Sequence, residues 1–249
     1  PEGLNIDENN LLNWDTENVP LGEYMVAITA SDGVDDDIQV FPIFINSFPV
    51  IISSDSIIVQ MGENLKFQME STDKNSTDTL TYHLDPLLGN MVMELHSGLL
   101  TWTPEKKDLG VNTFRLQVKD GHDLNGTVMP FKIFVYDLPR LTSDLSREAF
   151  TDMEYTAFLT AEDMNGKKLD GPESIVIDSA SFNYYNLSQY AHLFKWTPRD
   201  VDKGSHELLI KLTDDFGFTA YHRHNFTVFS NPCIHCDKEE TAPADTTGR

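Results

Sequence analysis

Short stretches in which apolar and polar residues alternate follow one another along the chain. In one of them, Phe114, Leu116 and Val118 alternate with more polar residues, and the same alternation recurs at Leu208, Ile210 and Leu212. A period of two places alternate side chains on opposite faces, so each stretch predicts a strand with one buried face. Between residues 47 and 137, strands are predicted at 56–59, 65–70, 79–84, 99–102, 113–118 and 128–136. No segment of helix length shows a period of 3.6, and the pattern therefore predicts an all-β fold of antiparallel β-sandwiches.

A tryptophan motif that occurs three times indicates an internal repeat. Trp14, Trp102 and Trp196 each end a Leu-x-x-Trp segment, and they are the only tryptophans of the chain. A glycine follows each of them after eight residues and an aspartate after eighteen. The tryptophans are 88 and then 94 residues apart, which is the size of one small sandwich per repeat. Each tryptophan is predicted to mark one strand and to fill the core of its sandwich.

The repeat predicts four segments. Residues 1–46 are expected to be the C-terminal part of a first, incomplete sandwich without the strands that precede the tryptophan elsewhere, so the chain is interpreted as a fragment of a longer polypeptide. Residues 47–137 and 138–230 are predicted to be a second and a third sandwich. Residues 231–249 carry a Cys-x-x-Cys segment and a polar linker tail. Short Pro-bearing junctions at residues 48–49 and 138–139 predict restricted bending between the sandwiches.

Charge and hydropathy narrow the classes of function. The formal net charge of -22 disfavours nucleic acid and anionic membrane surfaces as partners, because both attract basic proteins. No apolar run approaches the ~18 residues that cross a bilayer, and no signal-peptide pattern opens the chain. The charge indicates either solubility in a salty or extracellular medium or carboxylates that bind cations.

Several motifs together resemble a known group of repeats. Residues 71–82, STDKNSTDTLTY, are similar to the D-x-D…LTY segment of cadherin-like domains. Residues 97–104, SGLLTWTP, followed by VKDG at 118–121, resemble dystroglycan-type cadherin-like and bacterial Ig-like repeats, as does PEGLNID at 1–7. The resemblance covers about residues 1–230. It implies tandem Ig-like or cadherin-like sandwiches in a stalk or adhesion segment of a large secreted or surface protein.

The cadherin resemblance also implies calcium ligands. In that pattern the oxygens come from a D-x-D/N pair, from an aspartate that ends the sixth strand and from an acidic linker between domains. The matching positions are Asn46, Asp73, Asn75 and Asp120 at the first junction and Asp137, Asp163, Asn165 and Asp214 at the second. The acidic linker is reduced here and the L-D-R-E glutamate is missing, which implies at most one weakly bound ion per junction. The alternative is that these side chains cap turns by accepting backbone N–H groups.

Other polar residues suggest further chemistry. The acidic turn at residues 32–37 is either a cation site or a solvated loop tip. His222 and His224 lie two residues apart on a predicted strand, and they either share a metal or lie at the rim of the core. Cys233 and Cys236 predict a local disulfide, with free thiols or cross-links to a part of the polypeptide outside this sequence as alternatives. Sequons for N-glycosylation occur at Asn75, Asn125, Asn186 and Asn225.

No catalytic motif is present in the sequence. It contains no G-x-S-x-G, no H-E-x-x-H, no phosphate-binding loop and no G-x-G-x-x-G. An aromatic cluster at Tyr184, Tyr185 and Tyr190 either binds carbohydrate or packs within its own loop. The sequence therefore predicts that the chain is not an enzyme.

These observations predict a structural or adhesive segment that lies outside the cell, at the cell surface or in the periplasm. Its expected partners are other protein chains or further domains of the same polypeptide, with no nucleic acid and no membrane insertion. Two alternatives remain open. One is an accessory carbohydrate-binding module of a secreted enzyme, and the other is a subunit of a surface or periplasmic assembly that pairs through an exposed edge strand.

Overall fold

A computed structural model describes residues 1–122, 125–182 and 192–232. The chain is all-β and divides into two compact units, Pro1–Tyr136 and Asp137–Arg249. Residues 1–46 share the first unit with residues 47–136, and a domain boundary near residue 46 stays a prediction. In the parts of the chain that the structure describes, no helix is long and apolar enough to cross a membrane.

Residues 1–46 form a long β-hairpin that follows a short strand pair. The strands are β1 (Asn5–Ile6), β2 (Leu12–Asn13), β3 (Gly22–Ser31) and β4 (Asp36–Ile45). β3 and β4 pair antiparallel over their full length. Val26 is buried and Ile28, two residues later on β3, is partly buried, whereas Met25 and Ala27, on either side of Val26, are exposed. The hairpin therefore has the alternation that the sequence predicts, and a single short pair precedes Trp14.

Residues 47–136 form a complete sandwich. Its elements are β5 (Val50–Ile51), β6 (Ser56–Gln60), β7 (Leu65–Gln68), β8 (Ser71–Thr72), β9 (Thr81–Asp85), β10 (Val92–Met93), β11 (Leu99–Trp102), a 3₁₀ helix (Lys106–Asp108), β12 (Gly110–Lys119) and β13 (Thr127–Tyr136). One sheet has the order β6-β13-β12-β9, another has the order β10-β11-β7, and β5 pairs with β8. Phe114, Leu116 and Val118 are buried in the core between the sheets, as the alternation predicts.

The second unit repeats this plan. Its elements are β14 (Arg140–Leu141), β15 (Glu148–Phe150), β16 (Tyr155–Phe158), β17 (Ala161–Glu162), β18 (Ile175–Ala180), β19 (Leu193–Trp196), a 3₁₀ helix (Asp200–Asp202), β20 (Gly204–Thr213) and β21 (Thr219–Phe229). The larger sheet has the order β15-β21-β20-β18, and smaller pairs form between β16 and β19 and between β14 and β17. Leu208, Ile210 and Leu212 are the buried row of β20.

Each four-stranded sheet contains one parallel pair, which alternation alone does not reveal. β6 lies parallel to β13, and β15 lies parallel to β21. These partners are joined through the other strands of the sandwich, so no tight hairpin imposes an antiparallel direction on them. The prediction of antiparallel sandwiches is confirmed for the remaining strand pairs.

Two of the three repeated tryptophans fill a core, and the third does not. Trp102 is 1% exposed and Trp196 is 3% exposed, each in the core of its own sandwich. Trp14 is partly exposed. It meets Tyr24 edge-on at 5.2 Å between ring centroids, and its indole N–H donates to the Glu2 carbonyl oxygen. The prediction of a core role is therefore wrong for Trp14, because the sheets that cover its counterparts do not enclose it.

A short 3₁₀ helix follows each core tryptophan, in a part of the repeat for which the sequence pattern predicts no element. In the first, the Asp108 carboxylate accepts the backbone N–H of Glu105 at 2.9 Å. In the second, the Asp202 carboxylate accepts the backbone N–H of Arg199 at 2.8 Å. Both aspartates are buried and stand six residues after a core tryptophan. They satisfy donors that a helix start would otherwise leave unpaired.

Candidate metal site

An acidic cluster lies at one end of the second sandwich, where the chain arrives from β4. Asp73 and Asp78 belong to the loop between β8 and β9, and Asp120 directly follows β12. β12 pairs antiparallel with β9, with Lys119 opposite Thr81. The end of β12 and the start of β9 therefore lie side by side, and this pairing brings the three carboxylates together.

The spacing of these carboxylates suits a single ion. One ligand oxygen from each of Asp73, Asp78 and Asp120 lies within 4.8 Å of the other two. An ion at the usual Ca–O distance of about 2.4 Å can reach oxygens up to about 4.8 Å apart. Among the described residues, no other group of three or more His, Cys, Asp or Glu side chains is arranged in this way.

Several oxygens in this cluster are buried without a hydrogen-bond partner. Asp120 is 4% exposed, and the side chain of Asp78 is 5% exposed. Asp73 Oδ2, Asp78 Oδ2 and Asn46 Oδ1 are each buried and accept no hydrogen bond. Burying ionised oxygens without compensation costs several kcal/mol. The donor set, which is made of carboxylate and amide oxygens, fits a hard divalent cation.

Residues of the junction reach directly into the cluster. The Asn46 side-chain amide donates to Asp120 Oδ2 at 2.6 Å. The backbone N–H of Ser47 donates to Asn75 Oδ1 at 3.0 Å, and the Ser47 hydroxyl lies 2.8 Å from Asp73 Oδ1 and 3.0 Å from Asn75 Oδ1. The segment that leaves β4 is therefore bonded to the same carboxylates that form the cluster.

Turn capping and clustering occur together in these aspartates. Asp73 Oδ1 accepts the N–H of Asn75 at 2.8 Å, and Asp120 Oδ1 accepts the N–H of His122 at 2.9 Å. Asp73 Oδ2 is buried without a hydrogen-bond partner, and Asp120 Oδ2 accepts the side-chain amide of Asn46. The two alternatives drawn from the sequence are therefore compatible, because one oxygen caps the turn while the other belongs to the cluster.

Asp78 is the member of the cluster that the sequence pattern missed. It stands five residues after Asp73, beyond the D-x-D/N pair of the cadherin pattern. Its Oδ1 lies 3.6 Å from His122 Nε2. The signal available in the sequence was an aspartate later in the same loop, directly before a predicted strand.

The second predicted set of ligands, in the second unit, is arranged differently. Asp163 Oδ1 accepts the N–H groups of Asn165 and Lys167, both at 2.8 Å. Asp214 Oδ1 accepts those of Phe216 and Phe218, and Asp137 Oδ1 accepts the N–H of Leu138. Asp214 Oδ2 is buried without a partner. The described residues do not bring three acidic ligand atoms together here as they do around Asp120.

A lysine pair explains part of this difference. Lys168 stands five residues after Asp163, where Asp78 stands after Asp73. Its neighbour Lys167 forms an ion pair with Asp215 at 2.5 Å, and this hydrogen bond raises the pKa of Lys167. The loop of the second unit thus carries positive side chains, whereas the corresponding loop of the first unit supplies a third carboxylate.

The acidic turn forms a local structure of its own. Asp32 Oδ1 accepts the N–H groups of Val34 and Asp35, and these bonds lower the pKa of Asp32. Such bonds are typical of an Asx turn at a loop tip. The alternative of a cation site at residues 32–37 stays a prediction.

The two histidines of β21 differ in their surroundings. His224 is buried, and its Nε2 lies 2.9 Å from the Ser146 carbonyl oxygen, which also accepts the hydroxyl of Tyr155. Burial raises the pKa of Tyr155 to about 12. Desolvation and the neighbouring His224 lower the pKa of His222. The Nε2 of His224 is thus already engaged with the backbone.

The predicted modification sites fall in different environments. Asn75 is 8% exposed and its Oδ1 accepts hydrogen bonds from Ser47, whereas Asn125 and Asn225 are exposed. Asn186, Cys233, Cys236 and the tyrosines at 184, 185 and 190 lie outside the described residues. Glycosylation, the disulfide and carbohydrate binding therefore stay predictions.

Known structures similar to this one include tandem immunoglobulin and cadherin domains. No protein-family model and no curated protein sequence matches the chain. The I-band fragment I67–I69 from titin is 13% identical, with a TM-score of 0.50, and the match covers 92% of this chain and 81% of that one. Protocadherin gamma B2 extracellular cadherin domains 3–6 are 19% identical over 93% of this chain and 67% of that one, with a TM-score of 0.38.

An endo-fucoidan hydrolase from glycoside hydrolase family 107 also matches, at 16% identity and a TM-score of 0.31. This chain covers 38% of the length of that enzyme. At these identities the similarity concerns the fold alone. Together with the observed topology, the titin match defines an all-β chain of tandem Ig-like sandwiches.

Proposed function

We propose that this chain is a non-catalytic structural segment whose first junction is stiffened by a bound Ca²⁺ ion. The observation that carries the proposal is the set of buried, unpartnered oxygens on Asn46, Asp73 and Asp78 beside the Asp120 carboxylate. A cation there would supply the positive charge that three clustered carboxylates require. Asp73, Asp78, Asp120 and Asn46 would hold it.

The chemistry of the donors favours calcium. All four side chains offer oxygen, and loops rather than strands carry them, which suits the flexible coordination of Ca²⁺. Mg²⁺ requires near-ideal octahedral geometry and gives up its water reluctantly, so it is the weaker candidate. With three carboxylates and one amide, the expected affinity falls in the range of extracellular modules, about 10⁻⁴–10⁻³ M.

The mechanical role follows from the position of Asn46. This residue directly follows β4, and its amide is bonded to Asp120 at the end of β12. An ion shared by Asn46 and the carboxylates would hold the chain segment between β4 and β5 against the second sandwich. The segment would then resist bending, as a stalk or adhesion module requires.

The setting we propose is extracellular or at the cell surface, where calcium is abundant enough to occupy such a site. The net charge of -22 and the tandem-sandwich fold support it. The proposed partners are further domains of the same polypeptide or other protein chains. The chain would contribute a rigid spacer between them.

Calcium is expected to raise the melting temperature of the unit that contains residues 1–136. At 5 mM Ca²⁺, a site with the expected affinity stabilises the folded state by about 1–2 kcal/mol. This corresponds to about 3–8 °C for a unit of this size. Calorimetry with Ca²⁺, with Mg²⁺ and with a chelator measures the shift.

Two matched variants locate the ion. Asp120→Asn should abolish the calcium-dependent shift, whereas Asp214→Asn, at the equivalent position of the second unit, should leave it intact. Identical melting curves in calcium and in chelator would rule out the calcium proposal. A shift that Asp214→Asn removes and Asp120→Asn preserves would place the ion in the other unit.

A further inference from the structure

A stacked pair of rings closes the same junction beside the metal site. Phe44 lies near the end of β4, and His122 follows β12. Their ring centroids are 4.0 Å apart with an interplanar angle of 20°. Phe44 precedes Asn46 by two residues, and His122 follows Asp120 by two residues. The stack and the bond between Asn46 and Asp120 thus join the same two chain segments at neighbouring points.

His122 also contacts two of the carboxylates. Its backbone N–H donates to Asp120 Oδ1 at 2.9 Å. Its Nε2 lies 3.6 Å from Asp78 Oδ1, which is an ion-pair distance but too long for a hydrogen bond. The His122 side chain is 44% exposed, while that of Asp78 is 5% exposed. The imidazole therefore lies between the acidic cluster and solvent.

We propose that Phe44 and His122 form a ring clasp that holds the junction in its ion-binding arrangement whether or not a cation is present. In this role Phe44 is a positioning residue for Asn46, and His122 is a positioning residue for Asp78. The effect of the clasp on calcium affinity rests on the proposed function. Its effect on the junction itself does not.

The clasp raises affinity by ordering the ligands in advance. A site whose ligands are already held in place loses less conformational entropy when it binds. Offset aromatic pairs contribute about 0.5–1.5 kcal/mol beyond the area that they bury. Loss of the stack should therefore shift the equilibrium between the closed and the open junction toward the open state by about 3–10-fold.

Hydrogen exchange of the Ser47 backbone N–H measures how often the junction opens, and it can be followed in the absence of calcium. This N–H donates to Asn75 Oδ1, so opening of the junction exposes it to hydrogen exchange. In chelator at constant pH, Phe44→Leu and His122→Gln remove the stack and should speed this exchange by about 3–10-fold. Phe44→Tyr and His122→Phe retain two stacked rings and should exchange as the wild type does.

Calorimetric titration with CaCl₂ provides the second measurement. Phe44→Leu and His122→Gln should weaken calcium binding by a similar factor, and the double variant should be little weaker than either single variant, because both remove the same contact. Wild-type exchange of Ser47 in Phe44→Leu, or equal effects of His122→Phe and His122→Gln, would overturn the clasp. If the exchange series holds while the wild type binds no calcium, the clasp stands and the calcium proposal fails.

Discussion

Trp102→Ala is expected to lower the free energy of unfolding of the first unit by about 3–5 kcal/mol. Trp102 is 1% exposed and lies on β11, which pairs with β7 on one side and β10 on the other. It meets Phe114 edge-on at 6.4 Å between ring centroids. Truncation removes the largest side chain of this core and leaves a cavity that rigid sheets on both sides cannot close.

Trp14→Ala is the matched control for this loss. The two tryptophans occupy the same place in the repeat and belong to the same unit, but Trp14 is partly exposed. Its removal leaves no closed cavity, and we expect a loss of about 1 kcal/mol from the Tyr24 contact and the indole hydrogen bond. Urea denaturation followed by far-ultraviolet circular dichroism measures both variants. Equal losses would mean that Trp14 is enclosed as Trp102 is.

Strand position was predictable wherever one face of a strand is buried. The rows at residues 114–118 and 208–212 are buried as their alternation requires, because a period of two records which face meets the core. The short strands β5, β8 and β10 have two residues each, which is too few to show a period. The parallel direction of β6 was not predictable either, since it depends on contacts between segments far apart in the chain.

The acidic cluster proposed to bind calcium was predictable in part, through local motifs. The resemblance to cadherin-like domains indicated Asp73, Asn75 and Asp120, because short spacings in a loop survive as sequence patterns. Asp78 joins them only because β9 and β12 pair, and no local spacing records that pairing. Two sets with the same motif also differ in the structure, since Lys168 stands where the first set has an acid. The Phe44–His122 stack is a long-range contact with no motif at all.

Asp78→Asn is expected to change stability in opposite directions with and without calcium. One oxygen from each of the three carboxylates lies within 4.8 Å of the other two, so their like charges repel one another and destabilise the ion-free folded state. The neutral amide has the same shape, and Asp78 Oδ2 has no hydrogen-bond partner to lose. In chelator the variant should therefore be more stable than the wild type by about 1 kcal/mol.

In calcium the same substitution should remove most of the ion-dependent stabilisation. Loss of one of three charged ligands should weaken calcium binding by about 10–100-fold, so that 5 mM Ca²⁺ no longer saturates the site. Glu63→Gln, which neutralises an exposed acid of the same unit, is the control and should change neither quantity. Urea denaturation in chelator and in calcium, together with calcium titration, compares each of the two variants with the wild type under both conditions. If Asp78→Asn destabilised the chain equally in both conditions, Asp78 would be a packing residue and not a ligand, and the ion would depend on Asn46, Asp73 and Asp120.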